Sequence, residues 1–280
     1  MIQPAGKLTA ESERDLERLE DSVRRHGSMI VAYSGGVDSA LLAWVAHRVL
    51  GGNMLAVTGV SPSFASRDAT HAAGFLERHD IPSAPVRPDE MDNPDYRANG
   101  PDRCFFCKEA LFVAIDAMPL RARFEVVAYG ANLDDGDDHR PGARSASRRG
   151  VAAPLLEAGL TKDSVRALAR GLGLDVWDRP ASPCLASRIP YHTAVTPQRL
   201  RAVEAAEAVL DGLGFEERRV RHFGEVARVE LPLAMHARAR APGMWREIEN
   251  GIRAAGFKEV ELEADGLRSG RLNDALGDPA

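Results

Sequence analysis

The chain has few cysteines, no long apolar run and little net charge, and each lack closes off a class of protein. Three cysteines among 280 residues are an odd number that cannot all pair within one chain, so a disulfide scaffold is a poor explanation of the fold. No segment approaches the roughly 20 continuous apolar residues of a membrane span. Met1-Ile2-Gln3-Pro4-Ala5 carries no charged region followed by an apolar signal core. The expectation is a soluble cytoplasmic protein with no membrane partner. A formal net charge of -5 and a pI near 5.9 give no general ground for a nucleic-acid partner. No internal repeat or low-complexity segment competes with a globular reading. A hydrophobic content of 44% over this length suffices for one large core or two domains of modest size.

Against that background one short run stands out. Ser34-Gly35-Gly36-Val37-Asp38-Ser39 follows the apolar stretch at residues 29–33 and opens a helix-like stretch at residues 40–45. A glycine-rich turn from strand to helix sets unpaired backbone N–H groups and the positive helix end where a phosphate can sit. Asp38 adds a carboxylate, and the hydroxyls of Ser34 and Ser39 add donors, a combination suited to magnesium-bound pyrophosphate. The run matches neither the G-x-G-x-x-G dinucleotide pattern nor the lysine-bearing Walker pattern, which directs attention to another use of ATP. A plain helix-capping turn is the bland alternative.

Periodicity places this run in an α/β sheet. Residues 11–26 have the spacing of an amphipathic helix, residues 53–60 of a buried parallel strand, and residues 66–79 of the helix after it. Residues 85–87 read as a short third strand and residues 124–129 as a fourth. Ligands of such sheets lie at the carboxyl ends of the strands, so residues 34–39 and Gly130-Ala131-Asn132 share one edge. Residues 134–142 are loop-like and acidic; Asp134 and Asp135, nearest Asn132, are the better candidates to hold a divalent ion, and a solvated acidic loop is the competing reading. A helix start at Thr161 leads to an end near Gly171. Beyond Pro190 the pattern becomes a helix at 198–210, strands at 218–221 and 227–231, a helix at 242–254 and a strand at 258–262. This gives a domain at 1–190, including an N-terminal helix, and a smaller α/β domain at 191–280.

The cysteines carry the second signal. Cys104-Phe105-Phe106-Cys107 sets two thiols within one turn, and Cys184 lies in Ser182-Pro183-Cys184-Leu185-Ala186-Ser187-Arg188. Such a pair and a distant third can meet at a metal. Three thiolates around a cubane iron–sulfur cluster would leave one iron open, while zinc with a water or histidine is the direct competitor. Buried structural cysteines and a redox pair are the other readings. Lys108 is either a balancing charge or a solvated surface lysine.

Residues 34–39 resemble the phosphate loop of the N-type, or PP-loop, ATP pyrophosphatases. Together with Cys104-Phe105-Phe106-Cys107-Lys108, Tyr129-Gly130-Ala131-Asn132-Leu133-Asp134-Asp135, Pro183-Cys184-Leu185-Ala186-Ser187-Arg188-Ile189-Pro190-Tyr191 and Arg219-Val220-Arg221-His222, the set resembles the LarE family of sulfur transferases. The likeness runs from about Ser28 to Asn273 and includes Gly266-Leu267-Arg268-Ser269-Gly270. It implies an adenine nucleotide alpha hydrolase-like parallel sheet with helices on both faces. It also implies ATP-dependent sulfur insertion into pyridinium-3,5-biscarboxylic acid mononucleotide, whose carboxylates become thiocarboxylates in nickel-pincer nucleotide biosynthesis for lactate racemase.

One subgroup of that family sacrifices a cysteine sulfur, leaving dehydroalanine, and another binds a 4Fe-4S cluster carrying an extra sulfide on three cysteines. Cys184 matches the sacrificial position, but Cys104 and Cys107 complete the cluster set, which favours the cluster. The expected cofactors are ATP, Mg2+ and the cluster; sulfide or an unidentified donor supplies sulfur, and the chain is expected to self-associate.

The resemblance assigns the ATP phosphates to Ser34, Gly35, Gly36, Val37, Asp38 and Ser39, with Gly130 and Asn132 opposite. Arg188, Arg219 and Arg221 are phosphate-binding candidates, since guanidinium suits oxyanions; interdomain salt bridges are their plainer role. His222 either donates to phosphate or completes a turn. Glu204 and Glu207 face metal, substrate or a surface partner. Two departures are His192, where glycine is expected, and the basic Ser147-Arg148-Arg149. The enzyme alternatives are a PP-loop tRNA thiolase, disfavoured by the acidic balance, and an ammonia-using amide former, which needs no sulfur carrier. The non-enzyme alternative is a nucleotide-regulated metal-binding module.

Overall fold

A computed structural model describes residues 8–135 and 141–268. Asp137, Asp138 and the Ser269-Gly270 end of the last motif lie outside the described residues. In chain order the elements are α1 (Ala10–Arg25), β1 (Met29–Ala32), α2 (Val37–Leu50), β2 (Met54–Gly59), α3 (Ser66–Arg78), β3 (Ser83–Val86), α4 (Pro94–Arg97), α5 (Arg103–Asp116) and β4 (Val126–Tyr129). There follow α6 (Pro141–Arg148), α7 (Pro154–Glu157), α8 (Lys162–Gly171), α9 (Pro197–Gly212), β5 (Arg219–Phe223), β6 (Val226–Glu230), α10 (His236–Ala239), α11 (Pro242–Ala254) and β7 (Glu259–Leu262).

These elements form two compact units. The first comprises Met1–Glu90 and Cys104–Ser182, the second Met91–Arg103 and Pro183–Ala280. The division falls before residue 190, and the second unit takes in a segment, Met91–Arg103, that sequence reading assigned to the first domain.

The first unit holds a parallel sheet of order β3-β2-β1-β4. Side chains alternate across it. Met29 and Val31 enter a core with Leu41, Leu42, Phe75 and Leu168, whereas Ile30 enters a second core with Leu55, Val57, Phe112, Ile115 and Val127. Helices therefore cover both faces, α1, α2, α3 and α8 on one and α5 and α6 on the other, which is why these short strands are apolar on both sides. The adenine nucleotide alpha hydrolase-like architecture is thus the observed one. Strand order reverses between β1 and β4, whose carboxyl ends are level, Ala32 pairing with Tyr129.

In the second unit β5 pairs antiparallel with β6, which pairs parallel with β7. Leu200, Val203, Ala206 and Leu210 of α9 and Ile248 and Ile252 of α11 are fully buried, as are Val220, Ala227 and Val229 on the strands. This is the smaller α/β domain expected at the C-terminal end.

Candidate functional site

In an open α/β sheet the crevice beside a reversal of strand order is where ligands bind. Here two loops leave it. After β1 the buried Tyr33 donates its hydroxyl to the carbonyl of Ala72 in α3 (3.1 Å), and burial pushes its pKa up. The loop then turns at Gly35, whose φ is +76°; a Cβ there would lie 2.8 Å from that of Ala72. Ser34 N–H donates to Ser39 Oγ (3.2 Å), Ser39 Oγ donates to the Gly36 carbonyl (3.1 Å), and the two serine hydroxyls are 3.1 Å apart. No side chain caps the start of α2 at Gly36, so its first amides keep the anion-binding character of a helix N-terminus.

The second loop approaches from β4. A Cβ on Gly130 would stand 2.8 Å from Ser39 N and 3.0 Å from the Asp38 carbonyl carbon, so only glycine lets the two loops meet. Two residues on, the buried Asn132 donates from Nδ2 to Asp38 Oδ1 (3.0 Å) and accepts from Asp134 N at its Oδ1 (3.0 Å). Residues 34–39, Gly130 and Asn132 are thus one constellation in the first unit. Asp134 and Asp135 serve the backbone instead, accepting from Lys162 N (2.7 Å) and Asn132 N (3.1 Å). Lys162, which sequence reading saw only as a helix start, sets its ammonium on Asp38 Oδ2. Spacing along the chain gives no sign of this contact, because 124 residues separate the partners.

Two other contacts brace the loop. Asp68 of α3 accepts from Arg179 (2.7 Å) and from Ser182 Oγ (2.7 Å), while Arg179 also reaches the Gly35 carbonyl (3.3 Å). On α5, Cys104 is exposed and Cys107 half-buried, and neither is joined in a disulfide. The Lys108 ammonium lies 4.7 Å from the centre of the Tyr129 ring. In the basic stretch that ends α6, Arg149 bonds Glu109 and Asp116. The hydrogen bond from Arg149 is the first reason the Glu109 carboxyl sits below its ordinary pKa.

The other candidates fall in the second unit. Cys184, a half-buried free thiol, precedes a 3-10 turn at Leu185–Arg188. Arg188 forms a buried pair with Glu207 (Nε–Oε1 2.8 Å). Its other arm bonds the carbonyls of Pro183 and Cys184. Glu207 also accepts from Val220 N (3.1 Å). Arg221 pairs two-pronged with the fully buried Glu230 (3.0 and 3.1 Å) and donates to the Ser187 carbonyl (2.9 Å).

Arg219 is buried and donates to the Arg268 carbonyl (3.1 Å). Burial first, then the charges of Arg188 and Arg221, lower its pKa. Strand alternation puts His222 on the opposite face of β5. There its ring meets Phe257 edge-on at 5.2 Å, and burial lowers its pKa. Glu204 is half-buried on α9.

Sequence reading missed the strap formed by Met91–Arg103. Asn99 is fully buried with φ +57° and donates from Nδ2 to the carbonyls of Ile189 (3.2 Å), Pro190 (2.8 Å) and Thr193 (3.0 Å). Its Oδ1 accepts from Arg103 (2.6 Å), which also donates to the Ala186 carbonyl (2.9 Å). His192, the departure from glycine, takes φ +64° and donates its N–H to the Asn99 carbonyl (3.0 Å).

Among the described residues, no group of three or more Cys, His, Asp or Glu side chains is gathered as a ready metal site, and none of the helices is long and apolar enough to cross a membrane.

The parallel sheet and its paired phosphate loop define a nucleotide-binding protein of the PP-loop kind. No family model matches the chain. However, it is 34% identical over 248 residues to the pyridinium-3,5-bisthiocarboxylic acid mononucleotide synthase of Lactiplantibacillus plantarum, covering 88% of this chain and 89% of that protein. The chain belongs to that protein's family, the LarE-like branch of the PP-loop proteins. It is also 39% identical over 264 residues to an uncharacterized Synechocystis sp. protein (94% and 98% covered). Identity to an uncharacterized Methanocaldococcus jannaschii protein is 23% over 245 residues (88% and 92%).

Proposed function

We propose that the protein is an ATP-dependent sulfurtransferase that converts carboxylates of pyridinium-3,5-biscarboxylic acid mononucleotide to thiocarboxylates, in biosynthesis of the nickel-pincer nucleotide. The observation that carries the reading is the meeting of two loops at the β1/β4 reversal, where Gly130 lies against Ser39 and Asp38 beside an uncapped helix start. That cradle suits a nucleotide's phosphates, and Asp38 suits their magnesium. The substrate class follows the name of the L. plantarum relative.

The chemistry answers a definite problem: a carboxylate expels its oxygen poorly. Adenylation joins that oxygen to the α-phosphorus of ATP and releases pyrophosphate. A sulfide nucleophile then forms the carbon–sulfur bond as the carbon–oxygen bond to AMP breaks. Backbone amides of residues 36–39 stabilise charge on the phosphates, and Asp38 and Asn132 orient the metal side. Arg219, buried on β5 beside Arg221, is the favoured binder of the substrate phosphate, since guanidinium suits oxyanions. Arg188 and Glu207 hold the Cys184 turn.

Cysteine thiolates are the soft donors an iron–sulfur cluster takes, and none of the three cysteines is committed to a disulfide. Cys104, Cys107 and Cys184 would hold a 4Fe-4S cluster, which when bound by three thiolates supplies one iron able to carry sulfide. The test is anaerobic reconstitution with iron and sulfide, then addition of ATP, magnesium and the dicarboxylated mononucleotide. Mass spectrometry should find sulfur in the product, AMP, and an intact Cys184. Dehydroalanine at Cys184 would replace the cluster reading with sacrificial transfer, and absence of thiocarboxylate would defeat both.

A further inference from the structure

The phosphate loop lacks the lysine that phosphate-binding loops of the Walker kind carry, yet a lysine reaches it from elsewhere. Lys162 is the first residue of α8. Its backbone is fixed: its N–H donates to Asp134 Oδ2 at 2.7 Å, and the preceding Thr161 caps the helix by accepting from Ser164 N at 3.1 Å. Asp134 is in turn tied to Asn132, which bonds Asp38. The side chain is the free part, 36% exposed, and its ammonium rests on Asp38 Oδ2.

Both oxygens of Asp38 are consequently engaged, Oδ1 by Asn132 and Oδ2 by Lys162. A divalent cation arriving alone meets a carboxylate already neutralised by an ammonium and must displace it against like-charge repulsion. A polyphosphate changes this, because its oxyanions give the ammonium a new partner a short swing away while the metal takes the carboxylate. We propose that Lys162 is the mobile cation of this site: it closes Asp38 to free metal ions and transfers its ammonium to the phosphates when a metal–nucleoside triphosphate binds. The proposal rests on the ATP reading above. It makes metal and nucleotide binding mutually dependent, each clearing the other's obstacle, as linkage requires.

The test uses the whole protein, Mn2+ followed by electron paramagnetic resonance, and the α,β-methylene analogue of ATP, whose bridging carbon blocks transfer of AMP to a carboxylate. Lys162→Met should raise affinity for Mn2+ alone about three- to fivefold, as expected for release of a partly exposed ion pair. The same variant should bind the Mn2+ analogue complex about ten- to a hundredfold more weakly, the range for losing a charge-assisted contact. Lys162→Arg keeps the cation and should retain most of the analogue affinity, while circular dichroism checks that each variant is folded. Opposite movements of the two affinities support the proposal; a merely structural lysine would lower both together, and that result, or no change in either, overturns it. If the wild type binds the analogue and Lys162→Met binds it equally, the lysine proposal alone falls. If the wild type does not bind it, the ATP reading falls and takes the proposal with it.

Discussion

Asn99→Asp tests whether the strap holds the Cys184 turn. The substitution keeps the shape of the side chain and removes the amide hydrogens that serve three carbonyls. The Pro190 carbonyl keeps a partner, since Thr193 N–H also donates to it (3.1 Å). Those of Ile189 and Thr193 lose the Asn99 donor, the first in a buried bond and the second in a part-buried one. Each such loss costs about 1–3 kcal/mol. A carboxylate facing carbonyl oxygens adds repulsion, which a strengthened contact to Arg103 offsets in part. The net expectation is a loss of about 2–4 kcal/mol at neutral pH.

Denaturant unfolding followed by circular dichroism and by Trp245, which lies in the second unit, measures it. Thiol labelling of Cys184, in a Cys104→Ser/Cys107→Ser background, should accelerate as the turn loosens. The deficit relative to wild type should shrink on acidification, because the introduced carboxyl regains one donor when it is protonated. A variant within about 0.5 kcal/mol of wild type, the range of ordinary surface changes, with unaltered labelling would refute the reasoning.

Gly130→Ala must move backbone to admit a Cβ 2.8 Å from Ser39 N; it should cost about 1–3 kcal/mol of stability and weaken binding of the ATP analogue, so unchanged binding in titration calorimetry would count against the cradle. Glu207→Ala strips the buried Arg188 of its carboxylate and Val220 N–H of its acceptor, for an expected loss of about 3–5 kcal/mol; Glu207→Gln should lose less, and equal losses in chemical denaturation would argue that charge is irrelevant there. Burial holds His222 below its ordinary pKa of 6.5, so the folded state binds fewer protons than the unfolded one, and stability falls as pH drops through 6.5 toward the folded value. His222→Phe should flatten the melting temperature's decline with acid, leaving the same-signed share of His71 and His79; an unchanged slope rejects the assignment.

Much of the first unit was legible because strand faces and helix caps are local. The apolar run at 29–33 and the glycines after it mark β1 and its turn, and Thr161 marks the start of α8 by a cap whose geometry spans three residues. What the sequence hides is set by distance along the chain. Asp38 meets Lys162 across 124 residues and Asn99 meets Pro190 across 91, and no periodicity records either. The short α4 escaped notice because four residues are too few to show a period. His192 was visible as an anomaly at a glycine-like position. Its positive φ explains why glycine would serve there, and the hydrogen bond to the Asn99 carbonyl explains what holds a histidine in that conformation.

The arginines show how sequence likeness and physical role diverge. Arg188, Arg219 and Arg221 share a reading as oxyanion binders, but two of them already have a carboxylate each, and both donate to the turn that bears Cys184. Adding Arg103 and Asn99, the turn from Pro183 to Thr193 has seven main-chain carbonyls taken by side-chain donors: those of Pro183, Cys184, Ala186, Ser187, Ile189, Pro190 and Thr193. Such a loop is rigid through its backbone, so its position does not depend on the Cys184 side chain. That leaves the thiol for the role proposed above, and the arrangement accounts for charged residues buried where packing alone would favour apolar ones.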